Sequence, residues 1–352
     1  MMPEEWPIAA PAADHDAPTR AAGRDRLSTV RADFFLDSAT RLTEQERALM
    51  TAMLHCLVGD VADEIRAALP KGWSAANDEG NLDLIETLTV SRLLDEPALM
   101  ALLLRRADEE RIANAAKARS GRHDARILQG LVSHDNGAIS AGAMALILAR
   151  GRRRDRFGQC LVAFDDLSTT SARALVHAIA AVLRKDLSAV RGAAVTDAAL
   201  VKACRKVLAA QEQSRGIDAL AAELARLLEE NARLDDELIL AAAHEGETAF
   251  VAEALARRAD LDGATAAGEL LSGNPERVMM LFRLAGSPRE LVAGLLASIG
   301  DLLNIPDAGH AIGLFDAVTE DQVAAARTWL TVDPAYRRAL AALDSDDGQR
   351  TV

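Results

Sequence analysis

The residues best suited to chemistry in this 352-residue chain are five arginines within seven positions: Arg150, Arg152, Arg153, Arg154 and Arg156. Guanidinium forks hold carboxylates and phosphates through paired N–H donors, so a cluster of this density can bind a phosphate, a nucleotide or an acidic partner. Arg152 and Arg156 also stand in the RxxxR spacing of cyclic-dinucleotide receptors, but the polar-Ser-Gly motif that goes with it there is missing. The competing reading is a solvated helix end. The cluster follows an apolar stretch from about Ala138, and cations at a helix C-terminus interact favourably with its dipole. That position favours the second reading; the first would imply a small anionic ligand.

The remaining candidates are weaker. Asp235-Asp236 and Glu229-Glu230 are pairs only in sequence, and a solvated helix face accounts for both. His123-Asp124 and His134-Asp135 lie eleven residues apart with no Cys or HxxxH partner, short of a metal-ligand set. Asp14-His15-Asp16 falls in a stretch with no apolar period to hold a geometry. Cys56 and Cys204 sit in amphipathic patterns and read as small buried hydrophobes. Cys160 follows the arginines, which would lower the pKa of an exposed thiol, but Leu161 and Val162 beside it favour core packing. No Walker loop, GxGxxG or GxSxG is present. No catalytic residue, cofactor or metal site is therefore expected, and the reading leans away from an enzyme.

The elements that must position these residues are helical. Hydrophobic residues are 50% and charged residues 26%, the balance of a folded chain. Aromatics are only 3%, and about one residue in five is Ala, so sheet-forming residues are scarce. After Thr43 and Glu46, spaced as a capping box, Leu49, Met50, Met53, Leu54, Leu57, Val58, Val61 and Ile65 recur at helical steps until Pro70. A second helix is expected over Leu82–Leu94, and Pro97 opens a third. Asn274-Pro275 and Ser287-Pro288 each pair a cap residue with Pro at the first helical position. Ile217, Leu220, Leu224, Leu227, Asn231, Leu234 and Leu238 alternate as a coiled-coil seam would, but over only three heptads; two short helices fit better. Shifting by 26 residues aligns Arg257, Ala259, Ala267, Gly268 and Leu270 with Arg283, Ala285, Ala293, Gly294 and Leu296. That is the period of a helical solenoid, or an accident of an Ala- and Leu-rich chain.

Three blocks carry a family resemblance: Asp33-Phe34-Phe35-Leu36 through Leu57-Val58-Gly59-Asp60 to Glu64; Asp155-Arg156-Phe157-Gly158 through Asp166-Leu167-Ser168 to Arg184; and Arg233-Leu234-Asp235-Asp236 through Phe250-Val251 to Leu284-Ala285-Gly286-Ser287-Pro288-Arg289-Glu290-Leu291. Together they resemble an alphaproteobacterial domain-of-unknown-function family, number 2336, over most of residues 25–305. The resemblance implies a HEAT-like helical fold and no known activity, so it transfers no site residue. It also implies a break near Arg233-Leu234-Asp235.

The expected architecture is all-α, a HEAT-like α-solenoid of stacked antiparallel helix pairs. A disordered tail over 1–24, helical subdomains over 25–157 and 158–344, and a second tail over 345–352 complete it. Single cores stop growing at roughly 250–300 residues, which favours such a division. The net charge of −13 argues against nucleic acid as partner. No run reaches 18 apolar residues and the N-terminus lacks an apolar signal region, so a cytoplasmic protein without a membrane partner is expected. A non-enzymatic scaffold or adaptor binding a protein partner follows; the alternative is a sensor or enzyme that takes a nucleotide or nucleic acid through Arg150–Arg156.

Overall fold

The computed structural model describes residues 42–73, 79–120 and 126–333, together with 336, 337, 339, 340 and 343. The expected tails, 1–24 and 345–352, lie outside these residues. The described residues from Glu44 onward form one compact unit. Among the described residues its regular structure is entirely helical, with a single isolated bridge between Arg154 and Cys160.

The first helices follow the apolar periods of the sequence. Helix α1 (Glu44–Ala68) buries Met50, Met53, Leu57, Val58, Val61, Ala62 and Ile65, and it stops just before Pro70. Helix α2 spans Glu79–Val90 and α3 spans Pro97–Ser120. Glu96 caps α3 by accepting the N–H groups of Ala98 (3.1 Å) and Leu99 (2.6 Å). After α4 (Arg126–Val132), the Asn136 side chain accepts from Ala138 N and opens α5 (Gly137–Arg152). Two long helices follow, α6 (Thr169–Arg191) and α7 (Ala193–Ala209), joined by Gly192 at φ +84°. They pack on each other and on α1, and α2 also rests on α6. Helices from either side of residue 157 therefore share contacts.

From residue 217 the helices shorten: α8 (Ile217–Glu230), α9 (Asp236–His244), α10 (Thr248–Ala259), α11 (Gly263–Leu270), α12 (Pro275–Leu284) and α13 (Arg289–Ile299). Helices α14 (Ala308–Ala317) and α15 (Glu320–Leu330) close the series. Their ends recur with a regular device. Positive φ falls at Ala232, Gly246, Asp260, Gly273 and Gly286, at intervals of thirteen or fourteen residues. After four of these the chain turns back through a Schellman-type bond: Arg233 N to Leu228 O, Glu247 N to Ala242 O, Leu261 N to Ala256 O and Ser287 N to Phe282 O. Asp260 and Gly286, related by the 26-residue shift, take nearly the same φ (56° and 59°). The supposed coiled-coil seam breaks at Ala232, whose φ of 52° no helix accommodates.

Helix α10 is the hub. Ten of its twelve residues are buried, so it is enclosed on all sides. It packs against α3, α8, α9, α11 and α12. Its many alanines let these neighbours approach closely. Asn274 caps α12 as expected, accepting from Glu276 N at 2.9 Å. The Ser287-Pro288 boundary differs by one residue. Pro288 is itself the N-cap, without a side-chain cap bond, and the buried Ser287 hydroxyl has no partner among the described residues.

Candidate functional site

A cleft of about 300 Å³ opens where α3, the end of α5 and the α9–α10 turn converge. Arg150, Arg153 and Arg154 line it; Arg152 and Arg156 do not. Arg152 is exposed without a partner among the described residues, and the Arg156 guanidinium sits 4.7 Å over the exposed Phe157 ring.

The three arginines of the cleft are each engaged. Arg150 pairs with Glu247 at the start of α10. Arg153 is buried and donates through Nε to Asp166 (2.7 Å) and through its terminal nitrogens to the Ala149 and Arg215 carbonyls. Asp166, itself enclosed, also accepts the N–H groups of Ala163 and Ile217, so this one pair ties α5 to the start of α8. Arg154 forms a fork on Glu110, both contacts at 2.8 Å. Burial pushes the Glu110 carboxyl up, but the Arg154 hydrogen bonds and charge outweigh it and hold Glu110 below the usual range. A short hairpin aims Arg153 and Arg154. Asp155 accepts from Phe157 N and Gln159 N, Gly158 takes φ +81°, and Leu161 N returns to Arg153 O.

A second polar group forms the floor. Arg106 is 1% exposed. It reaches Glu109 at 2.6 Å and Asp218 at 2.7 Å, and Arg105 meets the other Asp218 oxygen at 2.5 Å. Burial raises the Asp218 carboxyl, yet Arg106 and Arg105 draw it below its ordinary value. The Arg106 Nε is buried without a hydrogen-bond partner. Close by, Glu253 on α10 has no hydrogen bond or ion pair with a described residue, and its carboxyl is raised to about 7. Burial is the main cause, followed by the Asp218 charge, with Arg105 opposing. Its carboxyl lies where a side chain on Gly263 would stand: a Cβ there would come within 1.9 Å of Oε1.

Chemically the cleft is a charge-balanced cavity. Arg106, Lys117, Arg150, Arg153 and Arg154 face Glu109, Glu110, Glu245 and Glu247. Cys160 also lines it, but burial first and Glu110 second push its thiol up to about 11, so it stays protonated at neutral pH. Among the described residues no three His, Cys, Asp or Glu side chains group as a metal site. His134 accepts from Asn136 N, and His244 hydrogen-bonds Ser298; His123 and Asp14-His15-Asp16 lie outside the described residues. Sequence reasoning missed Arg106, Glu110, Asp166, Asp218, Glu247 and Glu253. The one local signal was Arg105-Arg106 ending the apolar run of Leu99–Leu104 in mid-helix.

These features define an all-helical domain around a salt-bridged, charge-balanced cleft. A family model described as an uncharacterised protein conserved in bacteria (DUF2336) matches residues 86–327, from within α2 into α15, and the chain belongs to that family. The Asp33–Glu64 block of the resemblance falls outside the matched stretch. No curated protein and no solved structure matches the chain. No helix among the described residues is long and apolar enough to cross a membrane.

Proposed function

We propose that this protein is a non-enzymatic scaffold or adaptor of the bacterial cytoplasm, a HEAT-like α-solenoid whose stacked helix pairs present a surface to a protein partner. The observation that carries the reading is the regular recurrence of left-handed helix ends every thirteen or fourteen residues from Ala232 to Gly286. Repeating helix–turn–helix units bury a continuous core against their neighbours and leave extended faces, which is how solenoids bind other chains. The alphaproteobacterial origin implied by the resemblance belongs to the same reading.

Affinity capture of the tagged chain from cytoplasm of its source, at physiological salt, tests this. A protein partner recovered in stoichiometric amount, and reconstituting a complex of defined mass from purified components, supports it. Capture that enriches no protein over an unrelated helical control refutes it. A second reading rests on a specific observation: Arg150, Arg154 and the unpartnered Arg106 Nε border one cleft beside the N-terminus of α10. A small anion recovered with the chain, and lost in Arg154→Glu, would move the weight to that cleft.

A further inference from the structure

The net charge of −13 hides a strong segregation. The α6–α7 hairpin, residues 169–209, holds seven Arg and Lys against two Asp, a formal +5, while the rest of the chain carries −18. One of those acids, Asp197, is engaged by Arg184 across the hairpin; the other, Asp186, is exposed. The hairpin tip is aliphatic and fully presented: Val190 is 79% exposed and Val195 59%. At about 100° per residue, Ala194, Val195, Ala198, Val201, Lys202, Arg205 and Lys206 share one arc of roughly 140° on α7. All seven are exposed, and no carboxylate stands among them. Trp73 is held at the tip as well, with the Arg191 guanidinium 5.6 Å from its ring and donating to Gly72 O.

We propose that this hairpin docks on an anionic lipid surface. The outer face of α7 would lie along the headgroups, with Val190 and Val195 at the boundary with the acyl chains. Aliphatic side chains beside cations, with an indole against Arg191 at the tip, suit an interface that is apolar on one side and negatively charged on the other. Nucleic acid fits less well, because the valines and alanines offer nothing to phosphates and the arc has no aromatic ring to stack on bases. Charge and exposed aliphatic side chains together favour lipid: this is a cationic hairpin, formally +5, on an acidic molecule. At physiological salt the Debye length is about 8 Å, so the hairpin meets the surface while repulsion from the acidic remainder is screened. The inference is independent of the adaptor reading. It departs from the expectation of no membrane partner, which rested on the lack of a spanning segment.

Flotation of the full chain with vesicles tests it, comparing phosphatidylcholine alone with equal parts phosphatidylcholine and phosphatidylglycerol. Binding to the anionic vesicles only is expected, weakening as salt rises. Lys202→Gln and Lys206→Gln should each lower the partition coefficient about fivefold, the change matching roughly 1 kcal/mol per basic residue at an anionic surface. Val190→Ser with Val195→Ser should lower it about tenfold together. The charge-matched pair Arg215→Gln and Arg226→Gln, outside the hairpin, should leave it unchanged. All these side chains are solvent-facing, and circular dichroism checks that each variant is folded. Three results would overturn the proposal: no binding to anionic vesicles, binding unaffected by both hairpin pairs, or tighter binding through the same lysines to a DNA duplex than to the vesicles.

Discussion

Glu253 offers the sharpest test of the interior electrostatics. It stands on the most enclosed helix, pressed against the first residue of α11, with Asp218 and Asp262 adding negative charge and Arg105 and Arg106 opposing. Its carboxyl is raised from an ordinary 4.5 to about 7. Because the folded chain holds this proton more tightly than the unfolded chain, the ionised form costs stability. The penalty is absent below about pH 4.5, accumulates as pH rises towards 7, and is complete above it. Glu253→Gln keeps the shape and cannot ionise, so it removes the penalty.

The gap of about 2.5 pH units, at about 1.36 kcal/mol each, sets a ceiling of about 3 kcal/mol for the gain at pH 8. Urea denaturation of both proteins at pH 5, 6, 7 and 8 reads it. With an m-value of about 3 kcal/mol per M, the midpoint of Glu253→Gln should lie up to about 1 M above wild type at pH 8 and close to it at pH 5. Other groups titrate in this range, but they are common to both chains and cancel in the difference. A midpoint difference constant with pH, or a variant less stable at pH 8, would refute the reasoning.

Other consequences can be checked on the same preparations. Asp218→Ala leaves the buried Arg106 with Glu109 alone, and thermal unfolding should show a loss of about 3–5 kcal/mol. Gly246→Ala should cost about 2–4 kcal/mol by the same measurement, since φ there is +74° and the new Cβ would stand 2.8 Å from the Ala113 Cα. Iodoacetamide at pH 8 should label Cys160 more slowly than the exposed Cys56, read by peptide mass spectrometry, because the Cys160 thiol is raised to about 11.

What the sequence made legible was whatever depends on near neighbours in the chain. The apolar period of α1 up to Pro70, the apolar stretch of α5 from about Ala138 and the Asn274-Pro275 start of α12 are local choices. The recurring helix ends were only half visible. Gly246, Gly273 and Gly286 announce turns, but Ala232 and Asp260 take the same left-handed conformation with a Cβ, held there by bonds the sequence does not spell out. The arginine cluster shows the limit more clearly. Five guanidinium groups in seven positions look like a free cationic patch, because their partners are distant: Asp166 is thirteen residues from Arg153, Glu110 forty-four from Arg154, Glu247 ninety-seven from Arg150. The α6–α7 charge excess was countable from the start. Its meaning depended on seeing that Gly192 folds the two helices into one hairpin with an exposed tip and outer face.

The pairing also limits what the cleft can bind. Arg153 cannot be spared, since its removal would leave the enclosed Asp166 without its ion-pair partner. Arg150 and Arg154 are half-buried, and each already carries a carboxylate, Glu247 and Glu110 respectively. Exchanging one carboxylate for another gains little, because the incoming anion must lose its own hydration while the displaced glutamate remains beside it. Five cations facing four carboxylates leave almost no net field to attract an anion from solution. An anion entering this cleft therefore meets carboxylates as well as guanidinium groups. On this reasoning the conspicuous arginines chiefly hold α3, α5, α8 and α10 in register.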